Sequence, residues 1–275
     1  MSANQTKHQA KFVWYDLMTS DLKAAESFYK NVVGWNMQDS GMGDPSYTIL
    51  SAGPTAVGGL MPIPDEARAM GVPPCWSGYI AVSDVDAYAA RVTAAGGSIR
   101  RPPEDIPGVG RFAVAADPHG AAFILFKGNS DAEPAPVAAG TPGHIGWHEL
   151  HAGNGASAFT FYADLFGWTK DEAIDMGPMG VYQTFASGGP AIGGNMGFAQ
   201  ADCRCTGCAL ILWHGADHQS NSGRAAGDCR HFLRVEIDSE ADRCARCRSC
   251  GFGVILSVVR YRAPPQMLRR ATAMH

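Results

Sequence analysis

The 275 residues, 46% hydrophobic and 17% charged with 33 Gly and 17 Pro, suffice for two ordinary domains and exclude a disordered or collagen-like chain. A formal net charge of −4 gives no reason to expect nucleic-acid binding, and no apolar run is long enough to span a bilayer. The first twenty residues also lack the apolar core of a signal peptide, so the expectation is a soluble cytoplasmic protein that binds neither nucleic acid nor membrane.

The averages conceal a break near residue 200. Seven of the eight Cys and eleven of the sixteen Arg lie beyond it, and all six Lys lie before it. Residues 1–200 hold eleven basic against nineteen acidic side chains, whereas 201–275 hold eleven against seven. Up to the break the one cysteine is Cys75, as expected in a reducing compartment, and it reads as a buried small hydrophobe.

Residues 12–19 are rich in β-formers and read as a strand. Ser20 or Asp21 caps a helix running to about Val33, with Leu22, Ala25, Tyr29, Val32 and Val33 on one face and Gly34 as its stop. Short strands at about 36–40, 46–52 and 56–61 complete a β-α-β-β-β unit. After a connection punctuated by Pro62, Pro64, Pro73 and Pro74 the order recurs. A strand at 76–82 precedes a helix capped by Asp84, with Val85, Tyr88, Ala89, Val92 and Ala95 on one face, which stops at Gly96-Gly97. Strands at 98–101 and 111–116 lead through Asp117-Pro118-His119-Gly120 into 121–127. Residues 128–143, polar and Pro/Ala/Gly-rich, read as the linker between a first domain at 1–127 and a second at 144–275.

Beyond the linker the beginning of the chain returns at an offset of 133. Trp14, Asp16 and Leu17 become Trp147, Glu149 and Leu150; Phe28-Tyr29 becomes Phe161-Tyr162; Gly34-Trp35 becomes Gly167-Trp168. With two extra residues, Val57-Gly58-Gly59 becomes Ile192-Gly193-Gly194, and matches kept in order argue for duplication.

The strand, Asp21, Phe28-Tyr29 with Gly34-Trp35, Asp84-Val85-Asp86-Ala87, Ala94-Ala95-Gly96-Gly97 and Asp117-Pro118-His119-Gly120, in this order, resemble the vicinal oxygen chelate superfamily. That group includes glyoxalases, bleomycin-resistance proteins and extradiol dioxygenases, and the resemblance covers 11–127 and 144–196. It implies an α+β fold in which tandem βαβββ modules pair into curved sheets, helices outside, around a cleft. It also implies a divalent metal held by His, Glu or Gln at set strand positions. Here those positions carry Trp14 (Trp147 in the repeat), Ser77 and Ile124. Trp and Ile cannot ligate a metal and Ser is a poor ligand, so neither metal nor other cofactor is expected in the first domain.

Strand alternation puts Trp14 with Asp16, and Ser77 with Tyr79. If those faces line the cleft, they offer ring surface to a flat apolar ligand, with Asp16 as a general base should burial raise its pKa. The plainer alternative makes Trp14 and Tyr79 core residues and Asp16 a loop cap. Ile124, Trp147 and Glu149 complete the expected ligand contacts. Trp147, Glu149 and His151 share a face opposite His148; Glu149 with His151 could hold a metal, but two ligands do not make a site, and a surface-facing polar strand end is expected there.

The second domain lacks a further Asp-Val-Asp-Ala helix and Asp-Pro-x-Gly turn. It carries instead Cys203-x-Cys205-x-x-Cys208, His214, His218 and Cys244-x-x-Cys247-x-x-Cys250. Thiolates at this spacing suit zinc or an iron–sulfur cluster. Abundant Arg and Cys without Lys equally suit a G/C-rich gene read out of frame, which is the preferred reading; stretches such as 252–259 can still pair as a strand. The expected function is binding or transformation of a small, partly aromatic molecule in an apolar cleft. The alternatives are a metal-dependent lyase or dioxygenase and a non-catalytic interaction protein, with a homodimer left open.

Overall fold

Alternation along the first strand, β1 (Phe12–Thr19), decides which residues meet a helix and which line a site. The computed structural model describes residues 10–43, 45–130, 137–138, 141–152, 154–177, 180–197, 208–213 and 256–258. Tyr15 and Leu17 lie in one apolar cluster with Tyr29 of α1 (Leu22–Val32) and with Trp35, Leu50, Leu60 and Trp76. Trp14 and Asp16 therefore leave β1 on the face away from the helix. As expected, Asp21 caps α1, its carboxylate accepting the Ala24 N–H at 2.9 Å. Gly34 follows the helix at φ 82°, a left-handed conformation that favours glycine.

β2 (Asn36–Asp39), β3 (Thr48–Ala52) and β4 (Thr55–Pro62) follow, and β4 returns to pair parallel with β1. The Pro-punctuated connection holds one short helix, α2 (Asp65–Ala69), behind Pro64. β5 (Cys75–Ala81), α3 (Val85–Ala94), β6 (Ser98–Ile106), β7 (Gly110–Ala116) and β8 (Ala122–Gly128) then repeat the order, with Asp84 capping α3. β6 runs beyond its predicted end, through Pro102-Pro103, because it is an edge strand and proline there forfeits no ladder bond. Antiparallel pairing of β1 with β5 joins both units into one eight-stranded sheet, ordered β2-β3-β4-β1-β5-β8-β7-β6.

A second sheet repeats the scheme with β9 (Trp147–Ala152), α4 (Gly155–Phe166), β10 (Thr169–Asp175), β11 (Val181–Ala186) and β12 (Ala191–Gly197). β12 pairs parallel with β9, as β4 does with β1. β13 (Cys208–Trp213) pairs antiparallel with β9, in the place β5 takes beside β1. β14 (Leu256–Val258) pairs parallel with β13, as β8 does with β5, and falls within the stretch expected to form a strand. Cys203, Cys205, His214, His218, Cys244, Cys247 and Cys250 lie outside the described residues. The fold is α+β, built from curved sheets of many strands with few helices.

The two halves exchange contacts between positions related by the same offset of 133. Trp35 Nε1–H donates to the Gly143 carbonyl at 2.9 Å, and Trp168 Nε1–H donates to the Ala10 carbonyl at 2.8 Å. Tyr15 and His148, also 133 apart, meet at 2.6 Å between hydroxyl and Nε2. With Nδ1 2.7 Å from the Ile192 carbonyl, the imidazole donates there and accepts the Tyr15 O–H at Nε2. The Phe12 ring stacks on it at 3.9 Å. His148, on the face of β9 opposite Trp147 and Glu149, thus lies where the halves meet. Nearby, Arg91 of α3 donates to the Asp164 and Leu165 carbonyls of α4, and one continuous apolar cluster spans both halves.

Burial holds His148 down to about 4, against an ordinary value of 6.5. Between those values the unfolded chain binds more protons than the folded one, so folding weakens as pH falls from about 6.5 towards 4. Thermal denaturation across this window should show a shallower decline in His148→Gln than in the parent chain; identical slopes would exclude His148 as a source.

Candidate functional site

On the face away from α1 and α3, register brings the expected first-half residues together. Asp16 lies opposite Gly59 on β4 and Ser77 on β5, and Trp14 opposite Tyr79, which in turn neighbours Ile124 on β8. Asp16 is only 4% exposed. Its Oδ1 accepts the Tyr47 O–H at 2.6 Å and the Trp14 Nε1–H at 3.0 Å, and its Oδ2 accepts the Tyr79 O–H. The Trp14 N–H is shared with the Tyr47 oxygen at 2.8 Å. Asp16 caps no loop; it is the centre of a buried network. Hydrogen bonds to a charged group contribute about 1.5–3 kcal/mol each, enough to offset much of the desolvation.

Burial pushes the Asp16 carboxyl above its ordinary value, and the bonds from Tyr47, Tyr79 and Trp14 pull it back in part. Burial and then the neighbouring Asp16 charge raise both Tyr47 and Tyr79, so these remain neutral phenols at neutral pH. Beyond Ser77 the face is largely apolar towards its far edge, where Arg101 of β6, in register with Val114, sets its guanidinium 5.2 Å from the Phe112 ring centroid. Phe112 and Ile124 are buried beside Tyr79, half-buried Val114 and Phe126 pack against them, and Phe126 meets Tyr79 edge-on at 5.6 Å.

Tyr47, just before β3, is the member of this network that the sequence reading missed. A glycine makes its place: a Cβ on Gly59 would stand 1.9 Å from the Tyr47 hydroxyl and 2.6 Å from Asp16 Oδ1. The available signal was the two-residue insertion in the repeat, which carries Tyr47 onto Tyr182 as it carries Gly59 onto Gly194.

In the second sheet Trp147 Nε1–H donates to the Tyr182 hydroxyl at 2.7 Å, and Gly194, opposite Glu149, leaves room for that tyrosine. The strand beyond differs, since Leu212 stands opposite Trp147 and Leu210 opposite Glu149, where the first sheet has Tyr79 and Ser77. Glu149 is half-buried rather than at the surface as expected, and burial raises it to about 7.

The donor set does not fit the divalent metal of the resembling family. Trp14, Ser77 and Ile124 hold the expected ligand positions, and both Asp16 oxygens already accept O–H or N–H donors. Among the described residues no group of three His, Cys, Asp or Glu side chains comes together to hold an ion.

Gly59→Ala should therefore displace the Tyr47 hydroxyl and destabilise the protein by about 1–3 kcal/mol in chemical denaturation, as overpacking does. Carboxyl-carbon NMR of Glu149 should give a midpoint near 7. Its linkage has the opposite sign to that of His148. The raised value favours the folded state at low pH, and this contribution is lost as pH rises from about 4.5 through 7. Glu149→Gln should abolish that loss.

The sequence profile of the Glyoxalase/Bleomycin resistance protein/Dioxygenase superfamily matches residues 11–125. The candidate glyoxylase CFP32 of Mycobacterium bovis is 33% identical over 185 residues, which span 66% of this chain and 69% of the relative. The anthracycline biosynthesis protein DnrV of Streptomyces peucetius is 35% identical over 167 residues, 56% of this chain and 59% of its own. Among solved structures, 2,2',3-trihydroxybiphenyl 1,2-dioxygenase from Sphingomonas wittichii superposes with a TM-score of 0.52 at 14% identity, covering 74% of this chain and 72% of that one. That last likeness concerns the fold alone. Strand order, motif order and identity across two thirds of CFP32 agree, and the chain belongs to the glyoxalase/bleomycin resistance/dioxygenase superfamily.

Proposed function

We propose that the inner face of the first sheet binds a small, flat, partly aromatic molecule. The observation that carries this reading is the half-buried Trp14 ring, pinned by its own N–H to Asp16 and Tyr47 beside an apolar surface. A ring already held in one orientation loses little entropy when a second ring lies against it. The relative DnrV, named for the biosynthesis of polycyclic aromatic anthracyclines, supports the same ligand class.

Asp16 enters the proposal as a positioning residue rather than a general base. Three of the four hydrogen bonds a carboxylate can accept come from Tyr47, Trp14 and Tyr79, and they fix its orientation beside the Trp14 ring. A metal-dependent lyase or dioxygenase draws no support from this face, where among the described residues no three His, Cys, Asp or Glu side chains come together. The recurring offset supports a tandem duplication into domains at 1–127 and 144–275, with Trp147 and Glu149 as a diverged second site in a cytoplasmic protein.

Isothermal titration with 1,8-dihydroxyanthraquinone tests the reading. Binding to the parent chain should weaken at least about tenfold in Trp14→Ala, a loss of about 1.4 kcal/mol. Equal affinity for both proteins, with the circular dichroism of the variant intact, would overturn it.

A further inference from the structure

We infer that the first-sheet site recognises a ligand by the proton it offers, an aromatic hydroxyl on a flat ring, and discriminates against ligands that only accept hydrogen bonds. The inference rests on the proposed ring site and specifies its polarity.

The argument is a count of donors and acceptors around Asp16. Three donors surround Asp16: the Tyr47 O–H, the Tyr79 O–H and the Trp14 N–H; Arg101 of β6, on the same face, stands at its edge over the Phe112 ring and is paired with Glu104, outside the Asp16 network. All three are spent on the carboxylate, and the indole N–H is further shared with the Tyr47 oxygen. What the network still has to offer is lone pairs on phenol oxygens. The neighbouring negative charge makes those oxygens better acceptors and makes turning an O–H outward costly, because Asp16 would be left short of a donor in a buried place. Ser77, opposite Asp16, has a hydroxyl that gives or takes and so does not set the polarity.

This reverses the logic of a chelating site. A cation takes lone pairs from substrate oxygens, whereas the Asp16 network presents lone pairs and takes a substrate hydrogen. A hydroxyl on a ring lying along Trp14 donates to a tyrosine oxygen with no rearrangement. A methoxy or carbonyl oxygen in that place would face another oxygen.

Two shape-matched pairs of naphthalenes separate polarity from ring binding in isothermal titration: 1-naphthol against 1-methylnaphthalene, and 1-methoxynaphthalene against 1-ethylnaphthalene. The hydroxyl should improve affinity about tenfold over the methyl, and the methoxy oxygen should bring no gain over its hydrocarbon match. In Asp16→Asn the amide N–H₂ donates to a tyrosine oxygen and frees a phenol O–H to point outward. The hydroxyl advantage, taken as the ratio of 1-naphthol to 1-methylnaphthalene affinity within the same protein so that any general loss of ring binding cancels, should then shrink towards one. Equal gains from hydroxyl and methoxy, no gain from hydroxyl, or an unchanged advantage in Asp16→Asn would each overturn the inference and leave the ring site standing. If none of the four compounds binds, the ring site itself falls.

Discussion

An ionised carboxylate removed from water persists only where donors replace its hydration, and meeting that demand at Asp16 fixes much of the first sheet. The donors come from three places in the chain: two residues earlier on β1, the approach to β3, and the neighbouring strand β5. Each bond sets a side-chain direction. The indole of Trp14 is oriented by it, the two phenols are turned inward, and β4 must carry glycine where the Tyr47 hydroxyl passes. The aromatic surface is thus a by-product of satisfying one buried charge.

The second sheet shows what happens when part of that demand is relaxed. Trp147, Tyr182 and Gly194 keep their mutual arrangement, but the strand opposite supplies leucine where the first sheet supplies Tyr79. Its carboxylate, one methylene longer, is held towards its neutral form at about 7. Two faces with the same scaffold therefore hold their carboxyl groups differently. The first holds its carboxyl among three donors, whereas the second can exchange a proton.

Much of the fold was legible because local and long-range signals agreed. Asp21 and Asp84 cap the helices that the apolar spacing outlines, and the alternation in 12–19 separates Tyr15 from Trp14 correctly. The errors have physical reasons. β6 outran its predicted end because an edge strand tolerates Pro102-Pro103, and α2 hid among prolines because a helix that short has no periodicity to read. The contact of His148 was not legible, because nothing local reveals that a tyrosine 133 residues away will meet its Nε2. Tyr47 was overlooked for a similar reason. It is an ordinary aromatic at a strand entrance, and only comparison of the two halves shows that its glycine partner recurs with it.

The crossed indole contacts work as a double latch. A cut after Gly128 would part Trp168 from Ala10 and Trp35 from Gly143. A buried N–H stranded without an acceptor costs about 1–3 kcal/mol, so each fragment would inherit a fault repaired only by the other. The continuous polypeptide keeps both latches closed at an effective concentration that two loose pieces could not match.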